Sequence, residues 1–135
     1  MPDNNPTKND ITHLDDIRVL VDTFYGKVQK DPLIGHIFNE VIKNNWPNHL
    51  AKMYSFWQTI LLEEHTYHGA PFLPHINLPI SKPHFERWMS IFNETVDELY
   101  AGERADEAKW RAEKMAQMFM HKLEFYQNNR SKPLI

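Results

Sequence analysis

Along most of this chain, apolar side chains recur at intervals of three or four residues, and alternation every second residue is sustained nowhere. Leu14, Ile17, Leu20, Val21, Phe24 and Val28 form one such stripe, which predicts a helix through about Gln29. Thr12 stands where a cap is expected, with Asp15 three residues later in the capping-box position. Asp31-Pro32 stops the helix, and a short apolar turn, LIGHIF, follows with Phe38 at its end. Trp46, Leu50, Met53, Trp57, Ile60 and Leu61 predict a second long helix from about Pro47 to Glu64, proline being suited to the first turn. Phe85, Trp88, Ile91, Phe92, Val96 and Leu99 predict a third, broken at Gly102. Ala105, Ala108, Ala112, Met115, Phe119 and Tyr126 predict a fourth over about 104–127. Hairpin dipeptides and internal repeats are absent from the sequence. The pattern therefore predicts an all-α fold. The expected organisation is a disordered extension over 1–10, one domain over 11–127 and a frayed tail over 128–135.

Between the second and third long helices the pattern lapses. Residues 65–83 read HTYHGAPFLPHINLPISKP, with four prolines and three histidines. A long ordered loop between helices is uncommon and tends to be functional. One of its histidines, His75, precedes Trp88 by thirteen residues.

Composition narrows the chemistry. The 135 residues fit one core, and eight Phe, five Tyr and four Trp form an aromatic share of 13%. That share suits either an ordinary core or a slot for a flat apolar ligand. With a net charge of -3 and no basic run, binding to a phosphate backbone is disfavoured. Without cysteine, disulfides, thiolate metal sites and cysteine nucleophiles are excluded. No secretory leader opens the sequence, and no apolar run approaches the roughly 20 residues that span a bilayer. A soluble cytoplasmic protein is expected.

Two cofactor chemistries fit the candidate residues. Haem iron takes one neutral imidazole, such as His75, and hydrogen-bond donors on the opposite face stabilise a dioxygen held there. Tyr25, one position off the Phe24 stripe, carries a hydroxyl that wants a partner when buried. Trp88 offers an indole N–H, and His49 heads a helical stripe with Lys52, Met53 and Phe56. Zinc is the other option, because His65, His68, His75 and His84 crowd one region and three imidazoles plus water make a zinc site. The sequence has no HExxH motif, and His65-x-x-His68 lacks the i, i+4 spacing of that motif. The same rings and histidines also fit a plain helical core with a solvated loop.

Four motifs, in this order, resemble the third group of bacterial truncated haemoglobins over about residues 11–127. They are LVDTFYGKVQKDPLIGHIF, the WxxHxxKMxxFW pattern from Trp46 to Trp57, YHGAPFLPHINLP and HFERWMSIF. The resemblance implies a shortened globin, two helices over two, in which a loop largely replaces the proximal helix. It implies haem b as cofactor and His75 as the iron ligand; the distance to Trp88 selects His75 over its rival His84. Tyr25, His49 and Trp88 match the polar distal residues, and Phe38 matches the ring that stacks on the haem. Met53, Phe56 and Trp57 match pocket walls, Met53 standing where the family has an aliphatic residue. Phe72 and Lys52 complete the cofactor-binding set, Lys52 and Arg87 being the charged candidates for the haem carboxylates. The implied function is binding of dioxygen or another diatomic ligand at iron, with no catalytic residue; a monomer is the default expectation, and charge and hydropathy leave no nucleic-acid or membrane partner expected. The alternative is a peroxidase or nitric-oxide dioxygenase served by a separate reductase.

Overall fold

The computed structural model describes residues 8–69 and 80–131, the side chains of 128–131 excepted. His75 and Phe72 lie outside the described residues. Among those described there is no strand. The order is α1 (Leu14–Lys30), α2 (Gly35–Ile42), a 3-10 turn (Lys43–Asn45), α3 (Trp46–Leu62), α4 (Lys82–Leu99) and α5 (Glu103–Ser131). The apolar turn expected after Asp31 is thus a two-turn helix, and α5 runs four residues beyond its expected end. Among the described residues no helix is long and apolar enough to cross a membrane.

The α1 stripe is buried as its spacing requires: Ile17, Leu20, Val21, Phe24 and Val28 all face the core. The cap differs by one residue from the expected pair. His13 is the cap, and the Asp16 carboxylate accepts the backbone N–H groups of Thr12 at 2.9 Å and His13 at 3.1 Å. Asp15 instead pairs with Arg18 at 3.1 Å. At the far end, Asp31 turns the chain. One carboxylate oxygen accepts the N–H groups of Leu33 and Ile34 at 3.0 and 3.1 Å. Gly35 follows because a Cβ there would sit 2.8 Å from the carbonyl oxygen of Gln29 and 2.9 Å from that of Val28. Only a residue without a side chain lets α2 start so close to the end of α1.

Packing places α1 on α3 and α4, and α4 on α5, with a slighter contact between α3 and α5. This arrangement is two helices over two. Ala105, Ala108, Ala112 and Ala116 form the buried seam of α5, continued by Phe119 and Leu123. Tyr126, expected on this stripe, is 41% exposed and Phe125 is 63% exposed. Phe125 is exposed because it lies two residues round the helix from buried Leu123, on the opposite face; for Tyr126 the reason is length. At 1.5 Å per residue, the 29 residues of α5 span about 43 Å and the 18 residues of α4 only about 27 Å. The last turns of α5 outrun their partner.

Residues 8–10 fall in the stretch expected to be disordered, but they bind the α4–α5 corner. Lys8 donates to the carbonyl of Asp97, and the N–H of Ala101 donates to that of Asn9 at 3.1 Å. The Asp10 carboxylate accepts the N–H groups of Arg104 and Ala105 at 3.0 and 2.9 Å, capping α5 from 94 residues away. Gly102 makes room for it: φ is +138°, and a Cβ would lie 2.6 Å from Asp10 Cγ.

Candidate functional site

The packing leaves a cavity of about 720 Å³ walled by all five helices and by residues 66–69 and 80. Its size is that of a small-molecule or cofactor site. Ile34, Ile37 and Phe38 form one wall from the α1–α2 corner and α2, and Met115, Ala116 and Phe119 another from α5. Helix α3 contributes His49, Lys52, Met53, Phe56 and Trp57, and α4 contributes His84, Phe85 and Trp88. The polar groups in this mostly apolar lining are few, as a site that orients a small ligand requires.

Those polar groups converge where α1 meets α3. Tyr25 is 6% exposed, and its ring meets His49 edge-on at 5.0 Å. Trp46 packs against both, at 5.8 Å from Tyr25 and 5.6 Å from His49, and Phe38 lies 6.1 Å from Tyr25. Burial pushes the Tyr25 hydroxyl far above the ordinary tyrosine range, so it stays a neutral O–H donor. Helix α4 brings Trp88 to the same cavity. Trp88 stacks on Phe92 at 5.5 Å with planes 8° apart, and Phe24 meets it edge-on at 5.4 Å. Trp57 stacks near Phe92 at 5.2 Å. Phe92 is therefore held between two indoles and fixes both walls.

Of the predicted site residues, Tyr25, Phe38, His49, Lys52, Met53, Phe56, Trp57 and Trp88 all line this one cavity. His75 and Phe72 lie outside the described residues. Arg87, read as a candidate for an acidic cofactor group, is instead committed to Asp31. Its Nε and Nη2 each stand 2.6 Å from Asp31 Oδ1. Burial by itself raises the Asp31 carboxyl, but the Arg87 bond and charge and the N–H groups of Ile34 and Leu33 outweigh it and hold the group below the usual carboxylate range. His84 also lines the cavity, and its Nδ1 accepts the N–H of Ser81 at 3.0 Å in the cap of α4. In neutral His84 that bond leaves the proton on Nε2. Among the described residues no three His, Asp or Glu side chains are grouped to hold a metal ion.

Three contributors escaped the sequence reading. Trp46 was read as helix pattern, yet its i, i+3 spacing to His49 is the signal that both rings share a face. Tyr67 lines the cavity and meets Phe56 edge-on at 5.3 Å; the aromatic at the head of the loop was the only signal. Thr59 left none. Its hydroxyl donates to the carbonyl of Ser55 at 2.8 Å and accepts the N–H groups of Thr66 and Tyr67 at 3.1 and 3.0 Å. It thereby folds the end of α3 back onto the cavity.

Residues 10–123 match the family described as bacterial-like globin. Over 114 residues the chain is 36% identical to the group 3 truncated hemoglobin ctb of Campylobacter jejuni subsp. jejuni, covering 82% of this chain and 90% of that protein. It also superposes on the crystal structure of a group III truncated hemoglobin from Campylobacter jejuni. There the TM-score is 0.78 at 34% identity, over 87% of this chain and 95% of that one.

Proposed function

The chain belongs to the bacterial-like globin family, and from that premise we propose that it is a haem b protein that binds dioxygen, or another small diatomic ligand, at an iron held by His75. The family implies haem-based ligand binding in general; the identity of the gas, the iron ligand and the role of each side chain are our reading. The observation that carries it is the pairing of a macrocycle-sized apolar cavity with a neutral, deeply buried Tyr25 hydroxyl against His49. The residues present fit the group: rings from α1–α4 and apolar chains from α5 wall a slot, and cations are confined to Lys52 and the histidines.

Haem would supply an iron able to take one axial imidazole and one gas molecule. The chain supplies the rest. Tyr25 and Trp88 would offer an O–H and an N–H donor to the gas, which would slow its escape. His49 adds a second donor beside Tyr25, and Met53 covers the floor with an adaptable apolar side chain. Phe38, Phe56 and Trp57 would exclude water and hold the macrocycle, with Phe72 assigned to the same set by the family resemblance, and Lys52 would be the cation for a haem carboxylate. The Ser81 N–H occupies the Nδ1 of His84, which supports His75 as the ligand. The globin domain of this reading spans 11–127; a separate reductase belongs to the alternative reading as a peroxidase or nitric-oxide dioxygenase.

An absorption spectrum of the reduced protein, with and without dioxygen, tests this reading. We expect one haem per chain and a spectrum that changes reversibly with the gas. A colourless protein that takes up no haem would sink the proposal. Replacing His75 by Ala removes the axial imidazole signature; loss of that signature in His84→Ala instead would reassign the ligand.

A further inference from the structure

Asp31 is a buried carboxylate at the corner that starts the α2 wall of the cavity, covered on its outer side by the half-exposed Arg87. Its side chain is 2% exposed, and it accepts three hydrogen bonds besides a second close guanidinium contact. Two of these contacts come from backbone N–H groups of its own corner, those of Leu33 and Ile34, and two from the Arg87 guanidinium on α4. A buried carboxylate tied in this way is rigid, because any movement of one partner uncovers a charge. Arg87 is adjacent to Trp88 in the first two turns of α4. Fixing the guanidinium therefore fixes the rotation of those turns about their axis, and with it the direction of the next side chain. On the other side, Ile34 both donates to Asp31 and lines the cavity.

We propose that Arg87 is a positioning residue that acts through Asp31 to aim Trp88 at the ligand cavity, and that it touches neither cofactor nor gas. A second α1–α4 tie, Lys27 to Glu98 at 2.8 Å and to Glu94 at 3.2 Å, holds the helices together independently of this corner. Loss of the Arg87–Asp31 bridge therefore turns the start of α4 without separating the helices. The inference rests on the haem reading for its kinetic consequence, but its structural consequence does not need haem.

The test uses Arg87→Met and Asp31→Asn, the second keeping an acceptor for the backbone N–H groups of the corner. The indole N–H resonance of Trp88, identified by its loss in Trp88→Phe, is followed in the protein as purified. We expect it to shift in both variants; an unmoved resonance overturns the proposal, with or without haem. In haem-loaded protein, dioxygen dissociation accelerates roughly tenfold in Arg87→Met, the scale of one misaimed hydrogen bond. The same substitution adds nothing in a Trp88→Phe background, because contacts that act as a unit are not additive. An additive effect, or faster haem loss with Trp88 undisturbed, would place Arg87 on the cofactor and overturn the inference. A protein that never loads haem, yet shows the Trp88 shift, sinks the proposed function and leaves the positioning role standing.

Discussion

Tyr25 is one buried hydroxyl among aromatic rings, and its consequences are the most direct to measure. Burial raises its pKa well beyond the ordinary range, so its O–H is present below that value and does not titrate between pH 5 and 10. In the proposed role, Tyr25→Phe accelerates dioxygen dissociation roughly ten- to a hundredfold, as loss of one hydrogen bond to a charged acceptor would. Stopped-flow release across that pH range checks both points; a wild-type rate that steps with Tyr25 in place, or an unchanged rate in Tyr25→Phe, removes the donor role. Its position was legible because one residue's displacement from the Phe24 stripe puts a side chain at the edge of a core. Arg87 was misread for the opposite reason. Its charge was visible, but its partner lies 56 residues away, and sequence does not show which charges meet.

At the scale of elements, α5 gains its cap from outside itself. Asp10 accepts N–H groups of the first turn of α5 and stands over Gly102, so Asp10→Ala lowers stability by about 1–2 kcal/mol through loss of the cap. Urea denaturation of the two proteins measures the difference, and equal midpoints would contradict it. The other end of α5 makes a contrast. Leu123 is buried and Phe125 is 63% exposed, two residues apart on one helix. Leu123→Ala costs about 2–5 kcal/mol, whereas Phe125→Ser changes stability by no more than about 0.5 kcal/mol. Comparable losses would mean that the end of α5 is covered in solution. The helical pattern announced α5 but not where its burial ends, because that point depends on the length of α4.

Across the whole molecule, three carboxylates respond to acid together: Asp10 and Asp31 tie distant segments, and Asp16 caps α1 within its own first turn. Burial by itself raises the pKa of Asp10, Asp16 and Asp31, but hydrogen bonds and neighbouring positive charge outweigh it and hold each carboxyl below the usual carboxylate range. A folded pKa below the unfolded one means that the unfolded chain binds more protons as pH falls. Their stabilisation is complete above about pH 4 and is lost as pH drops through the folded values. Urea midpoints measured from pH 7 to 2.5 should be flat at first and fall below about pH 4. Asp10→Asn and Asp31→Asn should each shallow that fall, and parallel profiles in wild type and both variants would show that these groups do not carry it.

The sequence by itself determined the four long helices and most of the faces they bury, because a 3.6-residue repeat is local and each stripe of apolar side chains must be covered. It also determined the chemistry on offer: no thiol, a surplus of rings, and Tyr25, His49 and Trp88 as polar groups on otherwise apolar stripes. Its motif order pointed to the family that the chain matches over residues 10–123. Tertiary structure decided what those residues do to one another. Only packing brought Tyr25, His49 and Trp46 ring to ring, set Phe92 between Trp57 and Trp88, and spent Arg87 on Asp31. It also decided that Asp10 caps a helix through Arg104, 94 residues away. The physical reason is range: periodicity records what one segment must hide, whereas a cavity and an ion pair exist only once segments meet.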